Sequence, residues 1–154
     1  MTPDVSVSVV GPTAGEVIHL GPLQMRILED GRTTNHRLGM VVGTLPPHTE
    51  GPVQHRHAQH DEGFYVISGT AQFTVGVTTY DAPAGTLVMV PPGVPHTFAN
   101  PGDQPVILLC TITPDFYVQY FHDLGDLLAS GQPFTPEAGA QLMHRYATVP
   151  VTDE

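Results

Sequence analysis

The chain has 154 residues, 40% of them hydrophobic and only 13% charged, with a formal net charge of -10. Its 15 acids stand against 5 basic residues, all arginine, which disfavours nucleic-acid backbones and anionic membrane surfaces as partners. This length suits one domain, able to bury roughly 70% of its extended surface without a disulfide, and the single cysteine, Cys110, has no partner within the chain.

Sixteen glycines and 16 prolines favour turns and short strands over long helices. No run approaches the roughly 20 apolar residues that span a bilayer, and Met1-Thr2-Pro3-Asp4 carries no basic region before an apolar stretch. A cytoplasmic protein without a signal peptide is the expectation. Nine histidines are the first chemical signal, because imidazole is the commonest metal ligand.

In chain order, a tail leads to a first short strand near Val5–Val10. Val17–Leu20 and Leu23–Glu29 read as strands split by Gly21-Pro22, and Asp30-Gly31-Arg32 as a turn. Leu38–Leu45 follows, ended by Pro46-Pro47. Glu62–Ile67 and Ala71–Val77 are strand-like around Ser68-Gly69. Thr86–Val90 and His96–Ala99 flank Pro91-Pro92-Gly93, and Val106–Thr113 is the last clear strand. Cys110 lies in this last apolar run and reads as a buried core thiol without polar neighbours.

Beyond it, Thr113-Pro114-Asp115 signals a helix start, with Thr113 as cap and proline at the first helical position. Phe116, Tyr117, Tyr120, Phe121, Leu124, Leu127 and Leu128 recur at helical spacing; Gly125 weakens this helix and Gly131 ends it. Thr135-Pro136-Glu137 opens a second helix to about Arg145. The apolar stripe covers a mouth or outer face of the β structure, or else joins a dimer contact. The organisation is residues 1–36 as tail and N-terminal strands, 37–113 as β core, and 114–154 as C-terminal helices and tail.

The informative stretch runs from Gly51 to Glu62. In a strand, His55 and His57 share a face, with Arg56 on the other. Joint coordination of a metal keeps both imidazoles neutral, and Glu62, opening the next strand, can return a carboxylate to the same point. A solvent-facing or hydrogen-bonded pair is the alternative. His96 follows the rigid Pro91-Pro92-Gly93-Val94-Pro95 turn, which fixes its ring; taken alone it reads equally as a packed histidine. Asn100 reads as a turn former, and a regular strand would face it the same way as His96 and Phe98.

These two segments resemble the paired motifs of the cupin superfamily. His55, His57, Glu62 and Gly69 match G-x5-H-x-H-x3,4-E-x6-G, except that the opening Gly51 stands three residues before His55, a departure at a turn position. Gly85, Pro91, Gly93, His96 and Asn100 match G-x5-P-x-G-x2-H-x3-N at every spacing. The resemblance covers Leu38 to Thr113 and implies an all-β fold, a single cupin (double-stranded β-helix or jelly-roll) barrel followed by a short C-terminal helical segment. It implies one divalent metal ion on His55, His57, Glu62 and His96. The ligand types do not choose among Fe, Ni, Mn, Co, Cu and Zn. His60 supports the ligand residues from behind, lines the entrance, or is a solvent-facing loop residue.

If Glu62 faces inward, so do Phe64 and Val66, with Phe73, Val75, Met89, Phe98, Met40 and Val42 as further lining. That interior suits a small organic substrate, although Arg26 and Arg37 leave room for an acidic one. A small barrel with C-terminal helices is similar to quercetin 2,3-dioxygenase-like cupins, which implies an O2-using enzyme with Glu62 as both ligand and catalytic proton acceptor. The alternatives are a metal-dependent cyclase, isomerase or decarboxylase, and a non-enzymatic small-molecule-binding cupin. A homodimer is expected from the resemblance.

Overall fold

The structure, a computed structural model, describes residues 6–151. The start of the expected first strand, Val5, and the segment Met1-Thr2-Pro3-Asp4 lie outside these residues. From Ser6 to Val10 the chain forms no strand, and Val7 and Val9 are exposed. No helix among the described residues is long and apolar enough to cross a membrane.

Twelve strands follow: β1 (Val17–Leu20), β2 (Leu23–Glu29), β3 (Gly39–Leu45), β4 (Thr49–Glu50), β5 (His55–His57), β6 (Asp61–Ser68), β7 (Thr70–Val75), β8 (Thr78–Pro83), β9 (Leu87–Val90), β10 (His96–Asn100), β11 (Val106–Thr113) and β12 (Thr148–Pro150). Two helices, α1 (Val118–Ala129) and α2 (Pro136–His144), lie between β11 and β12. The first sheet runs β1-β2-β3-β11-β6-β9. The second runs β12-β5-β10-β7-β8, with β4 also on β10. All pairings are antiparallel, so this is the expected all-β jelly roll.

Alternation puts one side of each strand into the space between the sheets. On β11 the inward residues are Val106, Leu108, Cys110 and Ile112; on β6 they include Glu62, Phe64 and Val66. Phe64 from the first sheet meets Phe73 and Phe98 from the second at ring-centroid distances of 5.2 and 5.5 Å. This aromatic layer is the floor beneath the histidines.

The C-terminal segment leaves β11 through Pro114 and a short 3-10 turn at Asp115–Tyr117, so α1 starts four residues later than Thr113-Pro114 suggested. Thr113 instead ends β11, where it pairs with Asp61, and Pro114 stands at the cap of the 3-10 turn. Gly125 has a packing reason. A β-carbon there would lie 2.7 Å from Ile18 on β1, and one at Gly39 would lie 2.5 Å from Val118, so the two glycines let α1 seat closely on β1 and β3. The second start signal works as read: Thr135 accepts a hydrogen bond from the Ala138 amide, and Pro136 opens α2. The two helices roof the barrel, with Tyr120 and Phe121 of α1 and Leu142 and Met143 of α2 buried.

The expected lining needs a correction. Phe64, Val66, Phe73 and Phe98 are buried, but Met40 and Val42 are on the outer side of β3, whose inward residues are Gly39, Val41, Gly43 and Leu45. The inward parity belongs to the glycines because α1 and the cavity need that space. Val75 is only half-buried, at the end of β7. Met89, 55% exposed, covers the outer side of Gly63.

Candidate metal centre

Three imidazoles come from one sheet and the carboxylate from the other. His96 on β10 pairs directly with His55 on β5, and His57 stands two residues along the same face. Glu62 enters from β6, opposite Ile112 and Val90. All four are at least 95% buried. Their candidate ligand atoms lie within 4.8 Å of one another, a group that can hold a metal ion.

Each ring is oriented by its far nitrogen. His55 Nδ1 lies 2.8 Å from the Val53 carbonyl, and His96 Nδ1 lies 2.8 Å from the Val94 carbonyl. A carbonyl only accepts, so both Nδ1 atoms carry protons. His57 Nδ1 lies 2.7 Å from Thr148 Oγ1, whose hydroxyl already donates to the Tyr146 carbonyl. Thr148 therefore accepts there, and His57 has the same tautomer. The three Nε2 lone pairs are left free for the site, where Glu62 Oε2 lies 2.7 Å from His57 and 3.2 Å from His96.

This arrangement tests the fit of a metal. A proton on either Nε2 would bond to Glu62 but make that buried ring a cation. A divalent ion in the same place satisfies three nitrogens and the carboxylate with every ring neutral. In the metal-free site a proton on His96 Nε2 takes the place of the ion. Burial alone would raise the Glu62 carboxyl, but hydrogen bonds from His57 and His96 outweigh it and hold the group well below its usual range. Burial works on His96 in the opposite sense, yet the Glu62 contact raises it. His55 falls to about 4, through burial first and its imidazole neighbours second.

Three further residues surround the cluster. Cys110 is buried as expected, but its thiol donates to Glu62 Oε1 at 3.3 Å, so its setting is not purely apolar. Burial, then the Glu62 charge, push that thiol well up. The apolar run hid this contact, because the polar neighbour comes from across the sheet. Thr148 lies 91 residues beyond His57 on an unexpected short strand, with no local signal to mark it. Tyr117 was visible as part of the helical stripe; its ring packs on His57 at 4.5 Å and stacks on Tyr120 at 4.4 Å.

His60 is neither at the entrance nor in solvent. It is 2% exposed, its ring sits 4.1 Å from His57 and 5.0 Å from Tyr117, and neither ring nitrogen has a hydrogen-bond partner among the described residues. Asn100 is structural, as expected: its amide donates to the carbonyls of Leu45, Pro46 and Gln104 and its oxygen accepts from Gly102. Gly51 departs from the turn reading. A β-carbon there would lie 2.0 Å from the Phe98 carbonyl, so the position needs close approach to β10.

A cavity of about 590 Å³ opens from this cluster. His55, Glu62, Phe64 and Cys110 form its inner end, and residues of β1, β2, α1 and α2, with Val53 and Phe134 from loops, contribute to the rest. Arg26 does not reach it: its guanidinium donates to the Gly11 and Ala14 carbonyls. Arg37 is exposed and also does not line it.

Residues 41–112 match the family model described as Cupin domain. Over 62 residues the chain is 39% identical to an uncharacterised protein of Streptomyces coelicolor and 27% identical to one of Methanocaldococcus jannaschii. Each match covers 40% of this chain, and 58% and 50% of those relatives respectively, so the chain spans little more than half the length of the curated proteins it matches. An RmlC-like cupin from Shewanella frigidimarina is 28% identical with a TM-score of 0.61, over 71% of this chain and 92% of that one. A Thermotoga maritima structure named as a predicted oxalate decarboxylase is 21% identical with a TM-score of 0.59, over 64% and 90% of the two chains, a likeness of fold alone. The domain match and these neighbours support the cupin superfamily, and the paired sheets with their short helical segment form a single cupin jelly-roll domain.

Proposed function

We propose that the protein is a metal-dependent dioxygenase acting on a small aromatic or enol-type substrate, similar to quercetin 2,3-dioxygenases. The observation that carries this reading is that Glu62 and His55 belong at once to the ligand group and to the wall of an apolar cavity. A substrate hydroxyl in that cavity meets a carboxylate beside the ion. The metal, held by His55, His57, Glu62 and His96, supplies Lewis acidity and, if redox-active, electron exchange with O2.

The protein's own groups do the rest. Glu62 accepts the substrate's hydroxyl proton, while Cys110 holds Oε1 and leaves Oε2 turned to the imidazoles. Phe64 and the helical roof exclude water and orient the substrate. The same arrangement stabilises an enolate without O2, so an isomerase, cyclase or decarboxylase is the second reading.

The test begins with protein reconstituted separately with Fe, Ni, Mn, Co, Cu and Zn. Oxygen uptake with a flavonol or another enol is expected with at least one redox-active ion. Turnover without O2 uptake would select the second reading, and saturable binding without turnover a non-enzymatic binding protein. A homodimer belongs to the same reading. Tyr65, Ile67, Leu87 and Met89 are exposed together on the outer face of β6 and β9, an uncharged set suited to a second copy of a chain with net charge -10. A monomer mass by light scattering would remove that part.

A further inference from the structure

We infer that the cavity selects a lipophilic ligand with an uncharged body, which enters between the loop at Val53 and the connection from α1 to α2 and reaches the metal end with its ionisable atom first. The inference rests on the metal-site reading for its inner end only.

Three observations carry it. First, the wall beyond the ligand group is apolar apart from Glu50 and Glu137, with Leu20, Leu23 and Met25 from the first sheet and Phe121, Leu124 and Met143 from the helices. Second, the rim is apolar and exposed: Val53, Leu128 and Phe134 line the cavity and are 62%, 36% and 51% exposed. Exposed apolar groups around one opening are what a lipophile meets first.

Third, charge excludes the alternatives. No arginine lines this cavity. Arg26 is committed to the Gly11 and Ala14 carbonyls and Arg32 to Asp30; Arg37 and Arg145 are exposed, and Arg56 lines a separate hollow behind His57. Among the described residues, the acidic side chains that line it are Glu50, Glu62 and Glu137. A sugar acid, phosphate ester or dicarboxylate entering here would lose hydration without meeting a cation until it reached the ion. A ligand with one acidic hydroxyl meets that cost only where the metal offsets it.

The test uses two fluorescent probes that differ by one charge, N-phenyl-1-naphthylamine and its 8-sulfonate, titrated into metal-free and zinc-loaded full chain. The neutral probe should saturate at about one per chain, and the sulfonate should bind at least about tenfold more weakly. Leu128→Arg, on the exposed rim, should narrow or invert that ratio while zinc stoichiometry stays unchanged. Ala140→Trp, which fills the helix side, should weaken the neutral probe by about tenfold or more. Equal or tighter binding of the sulfonate to the original chain, or neutral-probe binding indifferent to both substitutions, overturns the inference. Loss of zinc binding with the probe preference intact would instead overturn the metal reading and leave this one standing.

Discussion

The two ends of the cavity are built on opposite terms. At the inner end, His55, His57, Glu62 and His96 are nearly inaccessible, and each imidazole is fixed through its Nδ1 to a carbonyl or to Thr148. At the outer end, Leu128, Phe134 and Val53 are partly in solvent and offer only apolar surface. The inner end fixes atoms for chemistry; the outer end selects by solvation and shape. Substitutions inside should therefore change metal content, and substitutions outside should change access with the metal retained.

The largest break is His57→Ala. It removes one of the four proposed ligands and leaves Glu62 buried with one fewer partner. Metal per chain, measured by mass spectrometry on protein purified without added metal, should fall from about one to near zero. Full occupancy in that variant would show that the cluster is not the ligand group.

Phe73→Ala attacks the floor beneath the inner end. Phe73 is fully buried against Phe64 and Phe98, so the loss should be about 3–5 kcal/mol by denaturant titration. Thr148→Val is more selective, since it deletes the acceptor that orients His57 and keeps the volume. Metal affinity should drop about 10–100-fold in a competition titration, with the barrel still folded.

Acid should act on the inner end of the metal-free protein in a signed way. His55 and His60 both fall to about 4 in the folded chain from an unfolded 6.5, burial being the first cause in each. The unfolded chain therefore binds protons that the folded one refuses, and their contribution is lost as pH falls from 6.5 toward 4. Glu62, held low by His57 and His96 against its burial, loses its contribution as pH falls below its unfolded 4.5. His96 runs the other way: Glu62 raises it against burial, so its contribution is full below 6.5 and lost as pH rises through its folded value. Denaturation midpoints should peak near pH 6.5 without metal. A midpoint still rising at acid pH would contradict the buried neutral state of His55 and His60.

That His55, His57, Glu62 and His96 come together was legible because the motif constrains residue type and spacing at once. His55, His57, Glu62 and His96 stand at motif intervals, and strand alternation explains why the first two share a face. β1, β2 and β11 were readable from their turns and apolar runs, and the jelly roll follows the resemblance. What was not legible depended on partners distant in sequence. Thr148 meets His57 through a three-residue strand, and Cys110 meets Glu62 across the β6–β11 pairing. The parity of β3 failed because inward glycines carry no hydrophobic signal, and their role appears only once α1 is in place. The stripe on α1 gave a covered face, but not that it roofs the same cavity as the metal ligands.

The smallest effect belongs to the roof. Thr135 caps α2 through the Ala138 amide, at the start of a helix that carries none of the four candidate ligands and contributes Gly139, Ala140 and Met143 to the cavity wall. Thr135→Ala leaves that amide without its side-chain acceptor and should cost about 1 kcal/mol of stability by thermal or denaturant unfolding. Metal stoichiometry should not move, because no ligand or Nδ1 partner lies on α2. The neutral probe should dissociate faster, because fraying the start of α2 loosens the wall beside Phe134. A change in metal content from so small a perturbation would mean the two ends are coupled through the helix, and the division between fixed chemistry and selective access would fail at that point.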